Sequence, residues 1–514
     1  MNSENFYQPE ADSASIEERP NECSAVVKYV ERIHFSDLHS NINIGSLPEQ
    51  DNSDDKSGDE GTPGGEDGKI PDDNGNLLDY EDEWDSFERE ESARFPAMVD
   101  LLEYSKRVFF LVRGRAGLYC CKEVKKSGED ILLVPPKRSS IPWDLPPAEA
   151  VLTQCRASVK NLDGKWERRL YDDTIDYLKG AAELSADVYY DLLASEILHS
   201  YLAEKSVYSP IIFFFGGPNW GKSRIGRAMI LAAYRGVSIT SLKEAHIIRL
   251  ATLWRASILI DVMDPWKKAR RSGSEDVLLD RYETGKLVPR VKRRPNNKYD
   301  ELVYYDISGC TIIISNFPAP DILNSRCVEI SMPLTDKTFP NEDIGQKAMD
   351  LKVRLIAFRS KYLLTDLPDI PKPSPRRLGD ILKPLLQIIR LVRPDREDSF
   401  LSLVREIEKS RTIDQSDTLE AAIVRSMLKN FGSIIHGYLS VKIITDTLNR
   451  DREENFRVSY KAVGWRLKAV GFRKVKTSDG CSAVIWDIKH IRRLAKAYGV
   501  DFIPETPETQ ATAA

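Results

Sequence analysis

The sequence predicts an α/β fold with a mainly parallel sheet in the middle of the chain. Short apolar segments, IIFFF, VSITS, SILID and TIIISN, alternate with the helix-like segments SRIGRAMILAAYRG and LKEAHIIRLATLWR between residues 211 and 316. Such alternation is typical of a parallel sheet covered by helices. The first apolar segment runs into a glycine-rich turn, and the chain becomes mostly helical after Pro333. We therefore expect one central sheet followed by a helical lid.

Charge is distributed unevenly along the chain. Its 514 residues carry a formal net charge of −5, and 41% of them are apolar, which is enough for a sizeable core. Residues 51–90 hold 16 Asp and Glu against three Lys and Arg, a local net of −13, so the rest of the chain carries +8. The length predicts about two to four domains. The asymmetry predicts an acidic arm on a mildly basic body.

Several classes of protein are excluded at this stage. No apolar run approaches the roughly twenty residues of a transmembrane helix, and the start, MNSENFYQPEAD, is acidic where a signal peptide is basic. The seven cysteines are scattered and form no C-x-x-C pair. This pattern argues against a disulfide framework or a zinc site and for a reducing compartment. We expect a soluble, cytoplasmic protein with no membrane partner.

Composition and pattern divide the chain into six regions. The first is low in branched aliphatic residues and rich in Asp, Glu, Ser, Gly and Asn, so it cannot offset the entropy of ordering. It is predicted to be a disordered acidic tail; the alternative is a mimic of nucleic-acid charge that folds back on a basic surface. The regions are a disordered acidic arm (1–95), a small accessory region with strands and a linker (96–170), the α/β core with its lid (171–390), a helical linker (391–430), a basic domain with helices and a two-stranded wing (431–500) and a tail (501–514).

A phosphate-binding motif follows the first apolar segment. The pattern G-x-x-x-x-G-K-[ST] is complete and lies between a predicted buried strand and a predicted helix, as a P-loop requires. Glycines let backbone N–H groups surround phosphates, the lysine places a charge on the β- and γ-phosphates, and the serine hydroxyl binds Mg²⁺. The motif predicts that ATP and Mg²⁺ are cofactors. Its residues are Gly216, Gly217, Pro218, Asn219, Trp220, Gly221, Lys222 and Ser223.

Two later strands end in polar residues. Asp261 ends the SILID segment, 39 residues after Lys222, and its carboxylate is suited to the Mg²⁺ shell. Asn316 ends the TIIISN segment and is suited to orient an attacking water from a central strand beside the P-loop. The alternative for Asn316 is a turn residue before Phe317 and Pro318.

The ordered set of motifs resembles the core of an AAA+ ATPase. The P-loop, the SILID strand, the strand ending in Asn316 and the segment DILNSRCVEISMP occur in that order. Their compact spacing is similar to the superfamily-3-like replicative helicases of viruses and mobile elements. The resemblance covers roughly residues 171–390. It implies an oligomeric ring, such as a hexamer, that hydrolyses ATP between subunits to move a nucleic-acid strand.

The resemblance also assigns roles by matching position. Lys222 and Ser223 match the Walker A residues, Asp261 matches the Walker B aspartate and Asn316 matches sensor 1. Arg326 lies where such proteins carry an arginine finger that reaches a neighbour's nucleotide. In the segment SPRRLGD, which opens the lid helix, Arg377 resembles a sensor 2 arginine, and Arg376 is its competitor.

One departure from the family pattern concerns the acid that polarises the attacking water. The position after Asp261 is Val262, and the next acid is Asp264. We expect Asp264 to act as the substitute from a turn; the alternatives are a turn residue without catalytic role, a base at Glu275 or Asp276, or slow hydrolysis in a nucleotide switch.

Two basic elements are candidates for contact with DNA. Residues 287–305 predict a hairpin whose tip carries Arg293, Arg294 and Lys298, in the place where superfamily-3-like helicases project a hairpin into the ring pore; the alternative is an exposed charged turn without a role in binding. Residues 441–500 predict helix, helix and a two-stranded wing, with 14 Lys and Arg against six Asp and Glu. This order is typical of a winged helix-turn-helix that binds DNA; the alternative is a winged fold used only for protein contacts. Its candidate DNA contacts are Lys461, Arg466, Lys468, Arg473, Lys474 and Lys476.

The favoured function is an ATP-dependent DNA helicase or replication-initiation ATPase of a mobile element. The first alternative is a nucleotide-switched DNA-binding regulator with weak hydrolysis, which the valine at position 262 favours. The second is a protein-remodelling ATPase, for which the sequence offers no adaptor or protease signature.

Overall fold

The computed structural model describes residues 70–71, 77–78, 87–114, 117–126, 129–292, 301–340, 344–450, 452–477 and 480–501. Most of the predicted acidic arm and of the predicted tail therefore lies outside the described residues. The chain divides into two compact units, Met1–Phe400 and Leu401–Ala514. The finer domain boundaries remain predictions.

The central sheet of the first unit consists of five parallel strands, which confirms the α/β prediction. They are β9 (Ile211–Phe215), β10 (Val237–Ile239), β11 (Ile258–Asp261), β14 (Thr311–Ser315) and β15 (Cys327–Ser331). Their order across the sheet is β10-β11-β14-β9-β15. The strand that precedes Asn316 is therefore the central one, and it separates the P-loop strand from the strand that ends in Asp261.

Among the described residues, eleven helices begin within the first unit, and the last of them continues into the second unit. In chain order they are α1 (Ala148–Lys160), α2 (Lys165–Lys179), α3 (Val188–Ser200), α4 (Lys222–Ala232), α5 (Glu244–Trp254), α6 (Pro265–Ser272), α7 (Glu275–Asp280), α8 (Asp321–Asn324), α9 (Ile344–Tyr362), α10 (Arg376–Val392) and α11 (Glu397–Ser416). The α4 helix packs tightly on the sheet. A Cβ at Gly226 would lie 2.6 Å from Cδ1 of Ile314, so a larger residue here would require the Ile314 side chain to shift.

Smaller sheets precede the central one. Strands β4 (Met98–Tyr104), β5 (Arg107–Arg113) and β6 (Leu118–Cys121) form an antiparallel sheet. A mixed sheet contains β3 (Glu88–Glu91), β7 (Val124–Lys125) and β8 (Ile131–Val134), and a short pair joins β1 (Ile70–Pro71) to β2 (Leu77–Leu78). The β3 strand differs from the predicted disorder of 1–95. Its four side chains are all exposed, so its pairing with β8 leaves no apolar signal in the sequence.

Buried arginines tie the β4 strand to the α/β core. Arg235 donates from Nε to Oδ1 of Asp100 at 2.8 Å, with only 2% and 4% of the two side chains exposed. Arg359 donates from Nε to the Val99 carbonyl at 2.7 Å. Loss of one partner from such a buried pair costs about 3–5 kcal/mol. The predicted accessory region is thus part of the same compact unit as the sheet.

Two further strands, β12 (Leu287–Lys292) and β13 (Glu301–Asp306), pair antiparallel and form the arms of the predicted basic hairpin. The hairpin tip, with Arg293, Arg294 and Lys298, lies outside the described residues. No helix in the described ranges combines the length and the apolar character needed to cross a membrane.

The second unit contains four helices after α11 and a three-stranded sheet. Its elements are α12 (Leu419–Lys429), β16 (Tyr438–Ser440), α13 (Val441–Asn449), α14 (Tyr460–Ala469), β17 (Lys474–Lys476), β18 (Ser482–Ile485) and α15 (Ile488–Ala497). The strand order is β16-β18-β17. Ile423 and Met427 from α12 share one buried core with Val463 and Leu467 from α14. The helix that the sequence assigned to a linker therefore belongs to this core.

Candidate functional site

The P-loop connects β9 to α4 through a turn that needs special backbone conformations. Gly216 has φ +149° and Gly221 has φ +81°, both in the region that favours glycine. A Cβ at Gly217 would lie 2.7 Å from the Trp220 ring, so this ring is packed directly on the loop. The first and last glycines of the motif are thus required by the backbone conformation of the turn.

Lys222 is held against this loop by hydrogen bonds. Its Nζ donates to the carbonyl oxygens of Gly216 at 2.8 Å and Gly217 at 2.5 Å, and the residue is 6% exposed. Burial lowers the pKa of Lys222, while the negative charge of Asp261 opposes the shift. The ammonium group therefore lies inside the loop that the motif predicts to bind phosphate.

Six of the eight predicted P-loop residues line one cleft of about 690 Å³ at the carboxyl edge of the sheet, and Gly216 and Gly217 do not. Lys222 and Ser223 come from the P-loop, Asp261 from the end of β11 and Asn316 from the residue after β14. The register aligns Asp261 with Ile314 on the neighbouring strand. The topology thus brings together residues up to 94 positions apart in the sequence, from Lys222 to Asn316.

Residues outside the predicted motifs also line the cleft. Arg224 lines it beside Ser223, and its guanidinium lies 5.7 Å from the ring centroid of Phe339. Met263 lines it as well and is 79% exposed. An arginine directly after the motif is visible in the sequence, but an exposed methionine in a loop gives no pattern by which to find it.

Asp264 does not line this cleft. Its Oδ1 accepts a hydrogen bond from the Lys267 backbone N–H at 3.0 Å, which makes it the N-cap of α6. This geometry matches the turn alternative. Glu275 accepts from Nε of Arg270 at 2.8 Å, and Asp276 is exposed; neither lines the cleft. Among the described lining residues, the only carboxylate is that of Asp261.

Arg326 and Arg377 lie together and outside the cleft. Nη1 of Arg326 donates to the Ile322 carbonyl at 2.7 Å. Nη1 of Arg377 donates to Oγ of Ser325 at 3.0 Å. Arg376, the competitor for the sensor 2 role, is the exposed first residue of α10. The structure therefore brings the two predicted arginines close to each other but not to the nucleotide residues of their own chain.

The second unit exposes a basic and aromatic face on α14. Lys461, Trp465 and Lys468 are exposed at positions i, i+4 and i+7, which share one side of a helix. Trp465 is 67% exposed and was not among the DNA contacts predicted from the sequence, which were all basic residues. The sequence does contain a sign of this exposure. Trp465 is a large apolar residue that lies outside the helix stripe formed by Val463 and Leu467.

The other candidate DNA contacts of this unit differ in their surroundings. Arg473 and Lys476 are exposed on and beside β17. Lys474 extends across α14 at Gly464, where its Nζ fills the space that a Cβ would need. Arg466 forms an ion pair with Glu420 of α12 at 2.5 Å, so its charge is already compensated. Of the six candidate DNA contacts, Arg466 is therefore the least available to bind a phosphate.

Comparisons with known proteins add little to this geometry. No protein-family model and no curated protein sequence matches the chain. One similar solved structure is described as "SCCmec type IV Cch - active helicase"; it has 14% sequence identity, covers 80% of this chain and 80% of that chain, and gives a TM-score of 0.33. Another is the A form apo structure of the NrS-1 C-terminal region, with 9% identity, coverage of 76% and 96%, and a TM-score of 0.30. TM-scores this low establish no shared function, so function is argued from the cleft and the charged surfaces.

Proposed function

We propose that the protein is an ATPase that binds ATP with Mg²⁺ in the cleft beside the P-loop. The observation that carries the proposal is that Lys222, Ser223, Asp261 and Asn316 all line this one cleft. Lys222 neutralises charge on the β- and γ-phosphates, and the oxygens of Ser223 and Asp261 are the kind of ligand that Mg²⁺ prefers. Asn316 orients the attacking water. The bound metal supplies charge stabilisation as phosphate is released.

We propose that hydrolysis takes place between subunits of a homo-oligomeric ring, such as a hexamer. Arg326 and Arg377 support this part, because neither lines the cleft of its own chain. A guanidinium stabilises charge on the γ-phosphate only if it reaches that phosphate. Because these arginines lie outside the cleft of their own chain, the nucleotide they would reach is the one bound by a neighbouring copy. Within this proposal, Arg326 is the arginine finger and Arg377 is the second cation.

We propose that the protein acts on DNA and that the second unit is a winged helix that binds it. The helix, helix, strand, strand order and the exposed Lys461 and Lys468 support this function. Trp465, between them on the helix face, offers a stacking or groove contact. The predicted tip of the β12–β13 hairpin provides a further contact in the first unit. Together these features favour a helicase or replication-initiation ATPase.

A nucleotide-switched DNA-binding regulator is the second candidate, and one observation favours it. Val262 and Met263, not carboxylates, follow Asp261 along the described wall of the cleft. Without a second acid, ATP would be held and hydrolysed slowly, and its binding would control assembly on DNA. Asp264 serves the helicase proposal only if its carboxylate leaves the N-cap of α6.

The test is the ATPase rate of the full chain with and without single-stranded DNA, beside unwinding of a forked duplex. Lys222→Ala serves as the inactive control. Stimulation of turnover together with unwinding supports the helicase. Tight ATP binding and ATP-dependent assembly on DNA, with negligible turnover, favour the switch. Absence of ATP binding contradicts both.

A further inference from the structure

A second cluster of polar side chains is buried at the opposite edge of the central sheet from the cleft. Glu196 and His199 lie one turn apart on α3, and Cys310 directly precedes β14. One ligand atom from each residue lies within 4.8 Å of the other two. The three residues are 2%, 0% and 5% exposed, respectively. The P-loop motif and the proposed ATPase function involve none of them.

The polar atoms of this cluster are not satisfied by the protein around them. Neither carboxylate oxygen of Glu196 accepts a conventional hydrogen bond, although both are inaccessible to solvent. The polar group that faces this carboxylate is the Cys310 thiol, and a thiol is only a weak donor. A carboxylate without a partner in a protein interior is strongly unfavourable. Such a carboxyl is compensated either by a proton or by a bound cation.

The imidazole of His199 has one ring nitrogen without a hydrogen-bond partner. Its Nε2 is 2.8 Å from Oγ of Ser209, whereas Nδ1 is buried and has no partner. With Nε2–H donating to the Ser209 hydroxyl, Nδ1 carries the free lone pair. Histidines that bind metals usually donate their other N–H to such an acceptor, which sets the tautomer and the ring orientation.

We propose that Glu196, His199 and Cys310 supply three of the four ligands of a buried Zn²⁺ ion. A thiolate and an imidazole together select zinc among the abundant divalent metals, and a carboxylate is a common third ligand. The two anionic ligands balance the charge of the ion, so the buried Glu196 charge is compensated. In a tetrahedral site, ligand atoms are about 3.5 Å apart, so the side chains close by about 1 Å on binding. The ion then links α3 to the central strand β14.

This proposal revises an expectation from the sequence, which argued against zinc because no C-x-x-C pair is present. His199 and Cys310 are more than 100 residues apart, and the cluster forms only because α3 packs beside the start of β14. The site is separate from the proposed Mg²⁺ site, since Cys310 precedes β14 and Asn316 follows it. The proposal is therefore independent of the ATPase function.

The first test measures zinc in the full chain, purified without chelators from zinc-supplemented medium. We expect about one zinc per chain by mass spectrometry of the metal. Replacement by Co²⁺ should produce the thiolate-to-cobalt charge-transfer band and the d–d bands of a tetrahedral ion. A wild-type protein that holds no zinc, both as purified and after exposure to equimolar Zn²⁺, overturns the proposal.

Variants then assign the ligands. Cys310→Ser should lose the zinc and the charge-transfer band. Cys155→Ser is the matched control, because Cys155 is also a buried free thiol, 3.4 Å from Oγ of Ser360, and should keep both. Glu196→Gln gives a change of opposite sign under the two interpretations. It lowers zinc content and melting temperature if Glu196 binds zinc, and it raises the melting temperature if the carboxylate is merely buried without a partner. Full zinc occupancy in Cys310→Ser overturns the assignment of Cys310 as a ligand. If that variant does not fold, the presence or absence of the thiolate-to-cobalt band in the wild-type protein tests the assignment instead.

Discussion

The guanidinium groups of Arg326 and Arg377 lie over the ring of one residue, Tyr282, at 5.4 and 5.8 Å from its centroid. The ring is only 3% exposed and also stacks with Tyr208, at 5.8 Å between centroids. Nζ of Lys286 lies 5.2 Å from the same centroid, so this buried ring attracts three cations, the two arginines among them. The two arginines that the resemblance assigned to separate roles are thus one structural pair.

Tyr282 is predicted to position this pair. Tyr282→Phe keeps the ring and should leave the ATPase turnover number unchanged. Tyr282→Leu removes the ring, and the lost cation–π attraction of about 1 kcal/mol should lower turnover roughly fivefold, with little change in KM for ATP. Steady-state kinetics of the two variants, with melting curves to confirm folding, make the comparison. Equal loss in both variants would assign the effect to the hydroxyl or to packing.

Arg326 is predicted to act on the nucleotide of a neighbouring subunit. Arginines that act in trans contribute about 10³–10⁵ in rate, so Arg326→Ala alone should be nearly inactive. Mixing Arg326→Ala with Lys222→Ala chains should restore part of the activity, because an interface can then combine one intact cleft with one intact arginine. Turnover of the mixtures is measured across a range of ratios. Mixed oligomers that stay inactive at every ratio contradict action in trans.

Lys222→Ala is predicted to abolish ATP binding or hydrolysis while the fold remains intact. The substitution removes the cation from the P-loop, where Nζ contacts two loop carbonyls. Calorimetric titration with ATP and a turnover assay measure the effect, and a melting curve checks the fold. Lys347→Ala, at an exposed lysine on α9, is the control and should behave as the wild type. Unchanged affinity and turnover in Lys222→Ala would remove the basis of the proposed function.

Basic residues of the second unit are predicted to differ in their effect on duplex DNA. If about four of them neutralise phosphates, the slope of log affinity against log salt should be near −3.6. Lys461→Ala and Lys468→Ala should each make this slope less steep by about 0.9. Trp465→Ala should weaken binding with the slope unchanged, since it removes no charge. Fluorescence anisotropy of the full chain over a salt series gives the affinity and the salt slope for each of the three variants.

Arg466→Ala is the matched comparison within the same helix. Its ion pair with Glu420 predicts a small loss of stability, about 0.2–1 kcal/mol for a partly exposed pair, and an unchanged salt slope. A slope that falls as far as in Lys461→Ala would mean that Arg466 leaves Glu420 to bind a phosphate. A fragment of residues 441–500 is a poor substitute for these assays, because it lacks Ile423 and Met427 of the core.

Asp264 gives opposite predictions for its two roles. As the N-cap of α6, Asp264→Ala should destabilise the protein by about 1 kcal/mol, whereas Asp264→Asn, a good capping residue, should retain both stability and turnover. As the acid that polarises the attacking water, Asp264→Asn should lose turnover while its melting temperature is unchanged. We expect the first result from the geometry. Glu275→Gln and Asp276→Asn, assayed in parallel with DNA present, test the remaining acids.

Local patterns in the sequence were enough to locate the strands and the P-loop. The IIFFF, SILID and TIIISN segments form β9, β11 and β14, and the motif forms the turn before α4. These features depend on neighbouring residues, namely on apolar runs and on glycines at positive φ. The helices α2 and α3, which precede the first of these strands, are separated by the eight residues 180–187.

Tertiary packing decided which side chains meet, and the sequence by itself determined only which are present. The P-loop, Asp261 and Asn316 could be chosen from the sequence, because strand ends in a parallel sheet share one edge. The pairing of Arg326 with Arg377 over Tyr282, the neutralisation of Arg466 by Glu420, and the cluster of Glu196, His199 and Cys310 could not. Each joins elements whose relative placement depends on the packing of whole helices and strands, and no local periodicity encodes that placement.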